Sequence, residues 1–433
     1  MKILFRTIMQ KMPAATLLML LWATGLSGQS PYRELARKAY NAGDYATALD
    51  HLYQAGDESP GDPQIYFLLG YYSHALFHDG RPFPGQGAPW LEAEVIANLD
   101  RALELDPDMG DARYFLGVAH AALGWAHLKT GDADAFRGEF QKAFDKGAFP
   151  PWMLEEGRNH LRACPPNAIL FVSGALHHNA ITWLQAMEAY RRDVSVIKTD
   201  LLHRPWYLKA YRDGLPGIIT PVPLSWSDNH LSEVRNYKWR PQQLILPIPE
   251  SMNQSLGVAS ETDTMTWLIE PDLISPGRRT YLSPMMAAFV DIVEQNAWQR
   301  PVFASMGAVT GLPVEKFRRQ HGPLVQLIPF EAKAHNLAMN AEATHEFYFN
   351  DAHFRDFSSL ALQDFPGASG VLFNHHMVLL NLCRHYYDQE QWARALEALH
   401  RIDVLFPENI MPIPADFREF MNELQADIRE RVE

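Results

Sequence analysis

The residues most able to do chemistry lie within and just beyond "AILFVSGALHHNAITWLQAMEAYRRDVSVI", Ala168 to Ile197. Gly174, His177, His178 and Asn179 stand at its centre, and Asp200, His203 and Trp206 follow in "TDLLHRPW". An imidazole titrates near neutral pH, so it can serve as a base or a transition-metal ligand. A carboxylate accepts hydrogen bonds and an indole can stack on a sugar. These residues form the candidate ligand-binding set, with no catalytic role assigned. The competing reading is a loop with half-exposed histidines. Adjacent histidines rarely both point at one ion, and no standard metal-ligand spacing is present. No metal and no cofactor is therefore expected.

Other polar groups are weaker candidates. His345, Glu346, Asp351 and His353 in "THEFYFNDAHFRD" mix ligand types at no standard spacing. His375 and His376 read as capping or surface residues at the start of a helical hairpin. The sequence has no Gly-x-Ser-x-Gly elbow, phosphate-binding glycine loop, dinucleotide fingerprint or His-Glu-x-x-His helix.

The elements that must hold the set are a strand, a loop and a helix. "AILFVS" reads as a buried strand, "ITWLQAMEAY" as the helix after it and "VSVIKTDLL" as a parallel strand. In such units ligands commonly sit in the loop after the first strand. "LILPIP", "SPMMAAFVDIVEQNAW", "RPVFASM" and "PLVQLIPF" continue the alternation. Residues 165–330 are thus expected to form a small α/β, Rossmann-like sheet domain with helices on both faces. The stretch from 213 to 280, rich in proline and tryptophan, stays unassigned. Trp183, Trp206, Trp226, Trp239 and Trp298 could stack on a sugar, but most read as core.

Residues 29–160 carry tetratricopeptide-like helical hairpins. Tyr32, Leu35, Ala36, Ala48, Leu52, Ala55 and Pro60 fall on one repeat register, and Tyr66, Leu69 and Gly70 return to it 34 residues on. "FHDGRPFPGQGAPW" interrupts this second unit with a stretch that cannot be helical, and Leu99, Ala102 and Pro107 complete it. Leu116 and Gly117 begin a third. Within 331–433, Leu379, Leu382, Cys383, Tyr386, Ala395, Leu399, Ile402 and Pro407 mark one similar hairpin, 375–407. A single repeat cannot bury its own apolar face, so this hairpin should pack on the middle domain. The fold class expected is α/β plus all-α.

Lys2, Arg6 and Lys11 precede the apolar run "AATLLMLLWATGL" and then "SGQS". That order describes a signal peptide over 1–28, implying an exported, periplasmic or secreted protein with no transmembrane span in the mature chain. The formal net charge of −13 disfavours nucleic acid as a partner. Cys164 and Cys383 read as buried hydrophobes, and a disulfide between them is not predicted.

From Ala168 to Leu208 the chain resembles the soluble C-terminal region of bacterial membrane proteins of the protein O-mannosyltransferase-like family, whose function is generally uncharacterised. The resemblance continues through "YLSPMMAAFVDIVEQNAWQRPVFAS" and "FRRQHGPLVQLIPF" to the C-terminal hairpin, covering about 160 to 415 in the same order. Two departures matter. The family's membrane-spanning helices, where sugar transfer from a lipid donor would occur, have no counterpart in the sequence. The family's glycine is kept as Gly174, but its following Asp-Asn-Asp-Thr run is replaced by Ala175, Leu176, His177 and His178.

The leading expectation is therefore an exported binding or assembly protein. Its helical repeats would hold a protein partner in the cell envelope, beside a non-catalytic α/β domain. The alternative is a glycan-binding or glycan-processing protein using the crevice after the first strand.

Overall fold

A computed structural model describes residues 30–78, 89–258, 263–275, 277–350, 353–359, 368–410 and 413–432. The expected signal peptide, residues 79–88 of the Gly/Pro-rich interruption, and Asp351 lie outside them. The protein is mostly helical, with small mixed sheets. It divides into two compact units, one ending at Pro107 and the other beginning at Asp108.

The first unit is a run of antiparallel helices: α1 (Pro31–Asn41), α2 (Tyr45–Glu58), α3 (Pro63–His78) and α4 (Pro89–Leu105). Local chemistry sets their starts. Ser30 Oγ accepts from Tyr32 N and Asp44 Oδ1 accepts from Thr47 N, each satisfying a helix-end donor. The repeat register is visible as burial: Ala36, Ala48, Leu52, Ala55, Leu99 and Ala102 are fully buried. Gly70 shows why a small residue is needed, because a Cβ there would come within 2.8 Å of Leu99 Cγ. Leu35 departs from the register's logic: it is 42% exposed on the first helix, where no earlier described helix covers it.

The second unit opens with another helical hairpin, α5 (Gly110–Lys129) and α6 (Ala133–Asp145), followed by α7 (Pro151–Ala163). Then come β1 (Ile169–Val172), α8 (Ala175–Met187), β2 (Ser195–Lys198) and α9 (Pro205–Asp213). The stretch left unassigned from sequence holds α10 (Asp228–Ser232), β3 (Tyr237–Lys238), β4 (Gln242–Pro247), α11 (Glu250–Leu256), β5 (Thr264–Ile269), β6 (Leu273–Ile274) and β7 (Thr280–Leu282). After it follow α12 (Pro284–Asn296), β8 (Val302–Ser305), α13 (Met306–Val309), β9 (Arg318–His321) and β10 (Leu324–Leu327). The chain ends in α14 (Ala341–Phe349), α15 (Ala368–Asp388), α16 (Trp392–Leu405) and α17 (Ala415–Val432).

The main sheet has the order β2-β1-β8-β10-β9. β1 pairs in parallel with both β2 and β8, whereas β10 is antiparallel to β8 and β9. β1 and β8 are buried along their whole length, as expected of central strands covered on both faces. Each fully buried Ile, Leu, Phe or Val in them contributes about 1.5–3 kcal/mol. "LILPIP" does form a strand, but it pairs with β5 in a separate hairpin rather than joining this sheet. The C-terminal hairpin packs on this unit: Arg401 Nε donates to the Tyr348 carbonyl, and His375 on α15 reaches Glu156 on α7. Cys164 and Cys383 are both buried free thiols.

Candidate functional site

From β1 the chain crosses over to β2 on one side, and β8 later joins on the other. The strand order reverses at β1, and in open α/β sheets ligands bind outside the carboxyl ends of the strands at such a point. Ser173 and Gly174 leave β1 there, and Met306 and Gly307 leave β8. The two exits nearly touch, since a Cβ at Gly307 would come within 2.5 Å of Ser173 Oγ. Gly174 makes the turn at φ +76° and caps α8.

A small pocket opens at this place, lined by Glu156, His160, His177, Met306, Pro323, Tyr348, Asn374, His375 and Val378. It has room for a water-sized guest. Its centre is the Glu156 carboxylate, almost wholly buried on α7. His375 Nε2 donates to Glu156 Oε2 at 2.9 Å, and His375 Nδ1 meets the Tyr348 hydroxyl at 2.7 Å. Burial, and next the Glu156 charge, push the Tyr348 phenol well above its ordinary value, so it keeps its proton and donates. On the other carboxylate oxygen, Oε1, stand His160 Nδ1 at 3.4 Å and His177 Nε2 at 3.5 Å. The rings of His160 and His177 lie 4.6 Å apart.

Among the described residues, every ion pair of Glu156 is to an imidazole. Its neighbour Glu155 goes instead to Arg158 and Arg162. Burial alone would raise the Glu156 carboxyl, but the imidazoles around it, His375 foremost, more than offset that and hold it well below the ordinary carboxylate value. Glu156 is therefore an anion. Burial pulls His160 down to about 4 despite that anion, leaving it a neutral imidazole. His160 Nδ1 lies 3.0 Å from the Glu156 backbone carbonyl, which can only accept. Nδ1 therefore carries the proton and Nε2 offers a lone pair. Glu156, His160 and His177 present ligand atoms that all lie within 4.8 Å of one another.

Of the candidate ligand-binding set, His177 alone lines this pocket, joined there by His375 from the weaker candidates. Neither histidine is in a loop: both sit in the first turns of α8. His178 is 1% exposed and points away, stacking on Trp125 at 5.4 Å, and among the described residues neither ring nitrogen has a partner in hydrogen-bond geometry. Burial depresses it to about 3. Trp206 joins this aromatic side, 6.2 Å from Trp125 and under Lys129 Nζ at 5.2 Å. Asn179 is buried in α8. Asp200 and His203 are exposed, Asp200 standing 4.0 Å from Lys198 Nζ. Of the weaker candidates, His345 stacks on Phe349 and His353 bonds the Phe347 carbonyl. Trp183, Trp226 and Trp298 are core.

The reading of His375 and His376 as capping or surface residues is corrected: both are buried within α15, which begins earlier, at Ala368. Glu156 and His160 were also missed, although a signal existed. They stand four apart in "PWMLEEGRNHLRA", which stacks them on one helix face. Nothing local marks Tyr348 and His375, which arrive through tertiary packing.

Residues 153–268 match the family model described as TMEM260-associated domain 2. Over 90 residues the chain is 30% identical to "Protein O-mannosyl-transferase TMEM260" of Mus musculus, an alignment spanning 21% of this chain and 11% of the mouse protein. Both support the family link over this part of the chain. Among solved structures, an O-GlcNAc transferase mutant from Thermobaculum terrenum is similar at 16% identity and TM-score 0.20, covering 38% of this chain and 35% of that one. The TPR2AB-domain:pHSP90 complex of yeast Sti1 is similar at 11% identity and TM-score 0.20, covering 92% and 97%. Those scores are too low to bear on the fold. Among the described residues no helix is long and apolar enough to cross a membrane.

Proposed function

We propose that this chain is an exported binding protein whose tetratricopeptide-like hairpins hold a protein partner in the cell envelope, beside a non-catalytic α/β domain. The observation that carries the reading is how the first unit spends its side chains. The interhelical positions are small or apolar and buried, while among the described residues Leu35 and Tyr53 stand 42% and 46% exposed, Tyr53 reaching Glu94 only through its hydroxyl. Repeats of this kind bind partners through such surfaces. The test is capture from envelope extracts by the full chain and by a Leu35→Asp/Tyr53→Asp variant. A protein retained by the first and lost by the second supports the reading; equal retention, or none by either, contradicts it.

A second reading, binding or processing of envelope glycans, is favoured by one observation. The family match at 153–268 takes in Glu156, His160 and His177, and the mouse relative is named as an O-mannosyl-transferase. A guest larger than water would have to rest on the rim that His177 forms. Binding of mannosylated glycans on an array, weakened in His177→Ala, supports this reading, and binding indifferent to that change contradicts it.

A further inference from the structure

We propose that Glu156, His160 and His177 form a binding site for a divalent transition-metal ion. The donor set is two imidazoles and one carboxylate, their ligand atoms within 4.8 Å of one another. Such sets hold Zn2+ or Fe2+ and leave coordination positions open. Nitrogen donors disfavour Mg2+ and Ca2+, which prefer all-oxygen shells.

Three further observations point the same way. First, the ligands come already oriented. His160 Nδ1 is committed to the Glu156 carbonyl at 3.0 Å, which fixes the tautomer and leaves the ring's lone pair on Nε2. His375 donates to Glu156 Oε2 at 2.9 Å and is itself held by Tyr348 at 2.7 Å, leaving Oε1 for the ion. Outer partners of this kind, fixing tautomer and orientation, characterise working metal sites. Second, Glu156 is buried, and among the described residues its ion-pair partners are all imidazoles, with no lysine or arginine. A buried carboxylate without a permanent cation is costly, and a divalent ion supplies that charge. Third, the site has a way in. His177 is 16% exposed beside partners at 3–4%, and the pocket accepts a water-sized guest at the carboxyl ends of β1 and β8.

This inference is independent of both functional readings, because neither partner capture nor glycan binding enters the experiment. The full chain is stripped with a chelator and titrated with Co2+, whose visible absorption reports coordination by nitrogen and oxygen ligands. About one ion per chain should bind with the absorption of a low-coordinate site. His177→Ala, a change at the pocket rim, should weaken binding at least ~10-fold. Glu156→Gln, which keeps the side-chain shape, should do the same. His203→Ala, at an exposed position away from the pocket, should leave binding unchanged. The absence of stoichiometric Co2+ binding would overturn the proposal. So would binding that is equally strong in His177→Ala and Glu156→Gln.

Discussion

On one side of α8, His177 faces a carboxylate, two further imidazoles and a phenol. One residue later, His178 lies against Trp125, with Phe136, Trp206 and Tyr207 around that indole. An α-helix turns about 100° per residue, so neighbours in sequence are delivered to different surroundings. On the His177 side polar partners form a chain, Tyr348 to His375 to Glu156, with His160 and His177 on the other carboxylate oxygen. On the His178 side the ring serves as a flat apolar filler whose nitrogens have no partner in hydrogen-bond geometry among the described residues. Residue type therefore says little about role here. What separates the two is whether the opposing helix brings a charge.

The largest expected effect comes from removing the charge's support. His375→Phe leaves the Glu156 carboxylate and the Tyr348 hydroxyl without their shared partner, and should destabilise the protein by about 3–5 kcal/mol in urea unfolding. A loss below about 1 kcal/mol would mean that the polar side does not hold together as described.

A second buried carboxylate sharpens the contrast. Glu139 on α6 pairs with His120 at 2.8 Å and with Lys142 at 2.6 Å, so unlike Glu156 it has a permanent cation. Burial opposes its ionisation, but His120 and Lys142 outweigh it and hold the carboxyl at about 2. A depressed folded value means that this stabilisation is fully present above the unfolded value of 4.5 and is lost as pH falls toward 2. Glu139→Gln should flatten the fall in stability across that window, measured by denaturation at stepped pH. An unchanged acid slope would contradict the pairing.

The smallest effect is expected at His178. Among the described residues its nitrogens have no partner in hydrogen-bond geometry, so His178→Phe should change stability by no more than about 1 kcal/mol, toward greater stability if anything. The same ring replacement thus costs much at His375 and little at His178. A large loss at His178 would erase the distinction between the two sides.

Much of the architecture was legible because it rests on local pattern. Apolar runs at 168–173 and 301–306 mark β1 and β8, and the small residues Ala36, Ala48, Gly70 and Ala102 mark close helix approach. "LILPIP" was legible as a strand but not as to its sheet: Ile245 is 62% exposed there, and a short apolar run does not say what it pairs with. The site was legible only at its edges. Gly174 and His177 follow from strand–turn–helix logic, whereas Glu156 and His160, at the centre, were missed although their spacing of four puts them on one helix face. His375 enters from a helix more than two hundred positions away in sequence, and no local pattern reports that contact. His178 was grouped with His177 by adjacency, which helix geometry undoes.

With the proposed metal site, the adjacent histidines divide the labour, His177 as ligand and His178 as core. Metal content per chain, measured on His177→Ala and His178→Phe loaded side by side with Zn2+, tests it most directly. His178→Phe should hold about one ion per chain, and His177→Ala should bind at least ~10-fold more weakly. Equal loading of the two proteins would contradict it.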